Sequence, residues 1–371
     1  MARYIIWHDN DFDLAIWLKE NSTALREQTV EYRAIPKTNT TEQILRAFMD
    51  TATLPILPFI RLETPDIIIQ KVDVDCNKVM CVLEFMTHTP QWQHPAQRFS
   101  RIYNSAMLGV PSALILPHHK TKWEKGKKTS YKPTPYTCSP SVYQLFSETS
   151  RLTHCPTMIF NWPESDGYLK YDPRHATAPL VEGGCLHLFD FINLCLNQTI
   201  SLDTAAPYLT FIRNRAETVS IDQFDTLHPI VSTDEVISRF HLSENDLGED
   251  FLSRQESIIF APNGLVCASS DMRTDPYAGM LCAFDILFAR DINGNRFRNL
   301  VLLAQDVNTN SINFPALEHD SAVCPFCNST PLVEGHLQCC PFTQSKYRRI
   351  YGEIADLIKF DNTIFYRGRF I

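Results

Sequence analysis

Glycine is scarce in this sequence, with only 12 among 371 residues. That is roughly half of the ~7% found in proteins on average. The two glycine-rich patterns that place backbone amides around phosphates, GxGxxG and GxxxxGK[ST], occur nowhere in the chain. A dinucleotide-binding loop or a P-loop is therefore not expected.

Long apolar segments are also lacking. The most apolar stretch, residues 184–200, is interrupted by Asp190 and is shorter than the ~18–20 residues that a membrane span needs. The first residues do not show the basic-then-apolar order of a signal peptide. We therefore expect a soluble cytoplasmic protein with no membrane partner, whose 12 cysteines are thiols or metal ligands rather than disulfides.

Positive charge is in deficit overall, since 34 Lys and Arg face 42 Asp and Glu, for a net charge of -8. This balance argues against a generally basic nucleic-acid-binding coat but not against a local patch. One basic segment does occur, with Trp123 and Tyr131 among its lysines. It is either a solvated loop or a loop that contacts the phosphates of DNA. Its lysines are Lys120, Lys122, Lys125, Lys127, Lys128 and Lys132.

The hydrophobic pattern predicts an α/β fold. Strands are predicted over 3–8 and 30–35, around a helix over 12–26. A block in the order αβββαβ follows: a helix over 41–53, strands near 56–62, 66–74 and 78–87, a helix over 95–108 and a strand over 113–116. We expect residues 1–140 to form a catalytic domain with an N-terminal extension, 141–320 a mixed α+β region that recognises DNA, and 321–371 a zinc-binding segment with a helix over 343–360.

Two acidic residues stand out in that block. Glu84 lies in the apolar strand Val79–Phe85, and Asp66 opens the preceding strand eighteen residues earlier. Burying a lone carboxylate is costly, so Glu84 needs a neutralising partner. A divalent cation shared with Asp66 would serve, because Mg²⁺ is bound by one or two carboxylates and completes its shell with water and phosphate oxygens.

With these residues in this order, the segment 40–118 resembles the PD-(D/E)XK nuclease superfamily, in particular type II restriction endonucleases. The resemblance depends on Pro65-Asp66, on Glu84 in the next strand, on the helix with Gln97, Arg98 and Arg101, and on the closing strand 112–116. It implies Mg²⁺-dependent hydrolysis of DNA, with Asp66 and Glu84 as metal ligands. It further implies that Gln97 assists catalysis, and we expect Arg98 and Arg101 to contact DNA.

The sequence departs from the family pattern at one position. The lysine expected two residues after the acid is Met86, which faces the same side of the strand as Glu84 but cannot donate a hydrogen bond. His88, Gln70, Lys71 and a lysine of the basic segment are alternatives for its role, and the sequence leaves the choice open.

A second acid pair, Asp285 and Asp306, lies in two apolar runs on either side of the turn Asn293-Gly294. An Asn-Gly pair between apolar runs predicts a hairpin, so these acids offer a competing metal site. No lysine follows Asp306 at the family spacing.

The C-terminal segment contains a cluster of cysteines. The pair Cys324 and Cys327 is followed by His336, Cys339 and Cys340, a spacing typical of a tetrahedral structural zinc site. Four of these five residues would bind Zn²⁺, and the sequence does not decide which. The other eight cysteines stand in apolar contexts and are expected to be buried thiols.

Taken together, the sequence predicts an Mg²⁺-dependent endonuclease of double-stranded DNA, of the type II restriction kind, with a structural zinc. A nuclease of repair or anti-phage defence and a catalytically inactive DNA-binding protein on the same core remain as alternatives. A homodimer is expected from the resemblance, because a two-fold protein matches a palindromic site and cuts both strands.

Overall fold

The structure is a computed structural model of the 371-residue chain. It describes residues 3–9, 11–35, 55–60, 63–73, 76–86, 94–116, 119–120, 123–124, 127–128, 134–135, 140–161, 187–206, 208–209, 230–260, 275–304, 354–360, 364–366 and 369–370. None of the helices in these ranges is both long and apolar enough to cross a membrane.

The chain divides into two compact units. The first comprises Met1–Lys37, Ala47–Ile60 and Thr64–Val219, and the second comprises Thr38–Arg46, Arg61–Glu63 and Ser220–Ile371. The domain boundary predicted near 140 falls inside the first unit, and the one predicted near 320 lies outside the described residues.

The first unit is built on a mixed six-stranded sheet with helices, in agreement with the predicted α/β class. Its strands are β1 (Arg3–His8), β2 (Thr29–Ala34), β3 (Ile67–Asp73), β4 (Cys76–Phe85) and β5 (Ser112–Leu116), then four two-residue strands β6 (His119–Lys120), β7 (Trp123–Glu124), β8 (Lys127–Lys128) and β9 (Thr134–Pro135), and β10 (Thr157–Asn161). Its helices are α1 (Phe12–Asn21), α2 (Thr23–Arg26), α3 (Leu57–Ile60), α4 (His94–Met107), α5 (Pro140–Thr153) and α6 (Leu188–Leu196).

The six strands follow the order β10-β5-β4-β3-β1-β2. Strand β3 pairs antiparallel with both β1 and β4, while β4, β5 and β10 run parallel to one another. A parallel connection needs a crossover, and α4 provides it between β4 and β5. The N-terminal segment is thus part of the sheet, with β1 between β2 and β3.

The strand predicted near 56–62 is wrong, because Leu57–Ile60 is helical. Pro58 explains the difference: it has no N–H for a sheet ladder, yet it is tolerated in the first turn of a helix. The helix predicted over 41–53 lies outside the described residues. The helix predicted over 12–26 is divided at Ser22, whose side chain accepts a hydrogen bond from the Leu25 N–H and so begins α2.

One face of this sheet holds the apolar cluster that positions the site. Ile5 and Trp7 of β1, Ile68 of β3 and Val82 of β4 are buried together with Phe59 of α3. Side chains two residues apart on a strand share a face. Asp66 lies two positions before Ile68, and Glu84 lies two positions after Val82. Both acids therefore lie on this face, beyond the end of the apolar cluster.

The second unit contains another six-stranded sheet, of order β11-β12-β13-β14-β15-β16, in which β12, β13 and β14 are parallel. The strands are β11 (Ile230–Ser232), β12 (Glu256–Phe260), β13 (Arg298–Ala304), β14 (Leu357–Phe360), β15 (Ile364–Tyr366) and β16 (Arg369–Phe370). The helices are α7 (Thr233–Phe240), α8 (Glu249–Leu252) and α9 (Asp275–Phe288).

Local sequence patterns predict one helix start in this unit correctly and two other features wrongly. Ser232 caps α7 by accepting a hydrogen bond of 3.1 Å from the Glu235 N–H, as predicted. The turn at Asn293-Gly294 joins α9 to β13 and is not a hairpin of two strands. The helix predicted over 343–360 does not extend to its end, because 357–360 form β14 beside β13. Leu357 and Ile358 of this strand are buried.

Candidate active site

Asp66 and Glu84 are brought together by the pairing of β3 with β4. Ile67 lies opposite Leu83, so the residues just before and just after this pair are neighbours at the end of the ladder. The Asp66 N–H donates to Glu84 Oε2 at 3.2 Å, and the Phe85 N–H donates to Asp66 Oδ2 at 2.7 Å. Each carboxylate thus accepts a backbone hydrogen bond from the other strand, which fixes both side chains.

Strand β1 holds Asp66 from its other side. The Asp9 N–H, just after β1, donates to the Asp66 carbonyl oxygen at 2.9 Å. This places a third acidic residue beside the pair, and sequence reasoning missed it. The β1–β3 pairing joins segments about sixty residues apart in the chain, so no local pattern announces it.

Two arginines of α4 cover the carboxylates. Arg98 and Arg101 are three residues apart and lie on the same side of the helix, where the Nη1 atom of each contacts Glu84 Oε1. Arg98 Nη1 also lies 3.6 Å from Asp66 Oδ2. Both residues were expected to contact DNA, and the structure places them on the acidic pair. Two carboxylates thus face two guanidinium groups.

The environment raises the pKa of both acids. Glu84 is fully buried, and this desolvation, together with the nearby Asp66 charge, raises its pKa to about 6 although Arg101 and Arg98 act in the opposite direction. Burial likewise raises the pKa of Asp66, against the effect of the two arginines and the Phe85 N–H. Desolvation therefore exceeds ion pairing at both positions.

The two acids fit a hard divalent cation with few protein ligands. The Asp66 side chain is 26% exposed, and among the described residues nothing donates to its Oδ1 oxygen. The same part of the chain contains no group of three or more His, Cys, Asp or Glu side chains able to hold a metal. A cation here would have Asp66 and Glu84 as protein ligands and complete its shell with water or phosphate, which is how Mg²⁺ is commonly bound.

Met86 cannot supply the hydrogen-bond donor that the resemblance implies at its position. Its side chain is 1% exposed, and its N–H donates to the Ile115 carbonyl at 2.9 Å, which continues the pairing of β4 with β5. Two of the predicted substitutes lie too far along the sheet. Gln70 is hydrogen-bonded to Trp7 and Asn77, and Lys71 lies opposite Lys78, six residues or ~20 Å from Glu84 along the strand.

The other predicted site residues are described in part or lie outside the described ranges. Gln97 is in α4, as expected, but only its backbone is described. The same holds for Lys120, Lys127 and Lys128 in β6 and β8. Outside the described residues are His88, Lys122, Lys125, Lys132, Asp306 and the five proposed zinc ligands Cys324, Cys327, His336, Cys339 and Cys340.

Of the competing acid pair, only Asp285 lies within the described residues. Asp285 lies in α9 rather than in a strand. It is fully buried, and its two oxygens accept from Arg290 Nε at 2.7 Å and Arg296 Nε at 2.6 Å. A carboxylate paired in this way stabilises the turn between α9 and β13, and neither oxygen is available to a cation without breaking an ion pair.

The side chains of four of the eight cysteines predicted as core thiols are described, and all four are buried and unbridged: Cys81, Cys155, Cys195 and Cys282. Cys155 and Cys195 line a cavity of about 630 Å³ at the start of β4 and β5. Burial raises the pKa of Cys155 to about 12, so its thiol is protonated and unreactive at neutral pH. This cavity lies at the end of β4 opposite to Glu84.

No protein-family model, curated protein or solved structure matches this chain. Its chemistry is therefore inferred from its own residues. Among the described residues, the pair Asp66 and Glu84 combines shifted pKa values, partial solvent access and adjacent guanidinium groups, which is the combination expected of an active site.

Proposed function

We propose that the protein is a divalent-cation-dependent endonuclease that hydrolyses phosphodiester bonds of double-stranded DNA, of the PD-(D/E)XK kind and the type II restriction class. The observation that supports this most strongly is the geometry of Asp66 and Glu84, each of which accepts a hydrogen bond from the backbone of the other's strand. Such a pair binds a cation at a fixed place on a rigid sheet rather than on a loop.

The surrounding topology supports the same proposal. Strands β3 and β4 are antiparallel, α4 follows, and β5 returns parallel to β4, in the order that the family resemblance implies. The strand beside β3 is β1, from the N-terminal segment, so this part of the proposed core is assembled from a different segment than the sequence predicts.

In this proposal Asp66 and Glu84 would bind Mg²⁺. When bound, Mg²⁺ polarises a phosphodiester and lowers the pKa of a bound water. Asp66 is the more exposed of the two acids and would lie nearer the bound DNA. Glu84 is buried and would fix the position of the cation on the sheet. Arg98 would supply positive charge where negative charge develops on the phosphate, and Arg101 would stay paired with buried Glu84.

The rest of the molecule has proposed roles as well. The lysines 120–132 would hold the DNA backbone, and residues of the second unit would read base edges. Four of Cys324, Cys327, His336, Cys339 and Cys340 would bind a structural Zn²⁺. A homodimer would place two active sites on the two DNA strands.

A second candidate is a DNA-binding protein without catalysis, and two observations favour it. Met86 stands where the family has a lysine, and Glu84 is already neutralised by arginines. A nuclease of repair or anti-phage defence on the same core is a third.

Incubation of the purified protein with plasmid DNA, with Mg²⁺ or with EDTA, separates these functions. Discrete fragments that require Mg²⁺ and are lost in Glu84→Gln support a restriction enzyme. Progressive degradation supports a repair or defence nuclease, and binding without cleavage supports the inactive protein. Equal cleavage by wild type and Glu84→Gln would show that the site is elsewhere.

A further inference from the structure

We propose that Arg98 couples cation binding to DNA binding: it occupies the carboxylates in the cation-free protein and is released to a DNA phosphate when a divalent cation binds. This inference rests on the proposed function and adds a regulatory step to the same site. It concerns the order in which the cation and the DNA bind.

Arg98 and a cation need the same atoms. Arg98 Nη1 contacts Glu84 Oε1 and lies 3.6 Å from Asp66 Oδ2, so the guanidinium bridges the two carboxylates that would hold the cation. A dication placed between these oxygens would stand close to this guanidinium group, and like charges at that distance repel each other. Arg98 must therefore move away as the cation enters.

Arg98, rather than Arg101, is the residue able to move. The Arg98 side chain is 29% exposed and the Arg101 side chain is 15% exposed. Arg98 lies one helical turn before Arg101 and approaches Asp66, the partly exposed acid. A long arginine side chain at a partly open position can re-orient towards solvent or a ligand without leaving a buried charge unpaired. Arg101 remains as the counter-ion of buried Glu84.

The charge of the site changes in the same direction. The two carboxylates and the two guanidinium groups in contact with them sum to zero, and Asp9 beside them adds a negative charge, so the cation-free site does not attract a phosphodiester. A bound dication adds two positive charges and leaves one guanidinium group without its carboxylate partner. Arginine binds phosphate through two parallel hydrogen bonds, so the released Arg98 has the geometry that a DNA backbone needs.

Cation and DNA are then thermodynamically linked, and the linkage is reciprocal. In the wild type the cation must displace Arg98, which weakens cation binding, and the displaced Arg98 strengthens DNA binding. Removal of the Arg98 charge should therefore have opposite effects on the two ligands. A merely structural arginine would weaken both or neither.

The test measures the two affinities separately. Mn²⁺ binding without DNA is followed by electron paramagnetic resonance of the free ion. DNA binding is followed by fluorescence anisotropy of a labelled mixed-sequence duplex with and without Mn²⁺, and a gel shows that the duplex is intact. The variants are Arg98→Gln, Arg98→Lys and the matched control Arg151→Gln, an arginine of α5 paired with Glu148 away from the site.

For the wild type we expect Mn²⁺ to increase DNA affinity about tenfold, which is the effect of ~1.4 kcal/mol. For Arg98→Gln we expect Mn²⁺ to bind several-fold more tightly, and DNA to bind more weakly with little further response to Mn²⁺. Arg98→Lys should retain the Mn²⁺-dependent gain because it keeps the charge. Arg151→Gln should match the wild type in both measurements.

The inference would be overturned if Arg98→Gln bound Mn²⁺ no more tightly than the wild type does. It would also be overturned if the DNA affinity of the wild type did not rise with Mn²⁺. If Arg98→Gln does not fold, the response of Arg98→Lys and of the wild type still decides it. Failure of the proposed function has a different signature: Mn²⁺ would not bind, or would bind equally to wild type and Asp66→Asn.

Discussion

The most direct physical consequence of the site is the pH dependence that Glu84 gives to stability. Glu84→Gln removes an ionisable group from a fully buried position and keeps its shape. In the cation-free wild type, the pKa of Glu84 is raised from 4.5 to about 6. An acid whose pKa is higher in the folded state holds its proton more tightly there than in the unfolded chain, so folding is favoured at low pH.

The size of this effect follows from the shift. A difference of about 1.5 pKa units corresponds to ~2 kcal/mol, because one unit is worth ~1.36 kcal/mol. This stabilisation is fully present below pH 4.5 and is lost as the pH rises through about 6. The free energy of unfolding of Glu84→Gln, relative to wild type, should therefore increase by ~2 kcal/mol between pH 4 and pH 7.

Tryptophan fluorescence is suited to the assay. All five tryptophans precede Ser220, so their emission reports the first unit, which contains Glu84. Urea unfolding of wild type and Glu84→Gln in EDTA is followed at pH 4, 5, 6 and 7. The same substitution at Glu148, a partly exposed residue of α5 paired with Arg151, is the control, since such surface pairs contribute at most ~1 kcal/mol.

If the arginines outweighed desolvation, the pKa of Glu84 would be depressed and the difference between the two proteins would change in the opposite direction. A flat difference would show that the arginines fully offset the desolvation of Glu84. Either result would refute the description of the site as one in which burial exceeds ion pairing.

Three further predictions concern the proposed ligands. At pH 7 and 100 times its dissociation constant, Mn²⁺ should stabilise the wild type by ~2.7 kcal/mol in thermal unfolding, and Asp66→Asn should lose this stabilisation; an equal gain in both would contradict it. Arg101→Met should destabilise the cation-free protein by ~3 kcal/mol in urea, because a buried carboxylate loses a counter-ion; a change below ~1 kcal/mol would place Arg101 outside the site. Mass spectrometry of the metal content should find one zinc per chain and none in Cys324→Ser, and a zinc-free wild type would end the zinc proposal.

The elements around the site could be predicted from sequence because their signals are local. The apolar runs of β3, β4 and β5 and the helical pattern of α4 are each complete within a short window. The adjacency of Asp66 and Glu84 followed from the same information, since consecutive strands commonly pair.

Features that depend on distant segments could not be predicted in this way. The pairing of β1 with β3 depends on residues about sixty positions apart in the chain. The position of Asp9, which follows β1, depends on the same pairing. The sequence indicated that Arg98 and Arg101 contact DNA and did not indicate their contact with Glu84. The sequence showed that the Glu84 charge needs a neutralising partner, and the two arginines of α4 provide it.

The central claim is that Asp66 and Glu84 form a cation-dependent site for DNA hydrolysis. The measurement that tests it most directly is the single-turnover rate of cleavage of a supercoiled plasmid by wild type and by Asp66→Asn at saturating Mg²⁺. We expect Mg²⁺-dependent cleavage by the wild type and a rate at least ~10²-fold lower for Asp66→Asn, since it loses a preorganised charge at the reacting phosphate. Equal rates for the two proteins, or cleavage by the wild type that persists in EDTA, would contradict the claim.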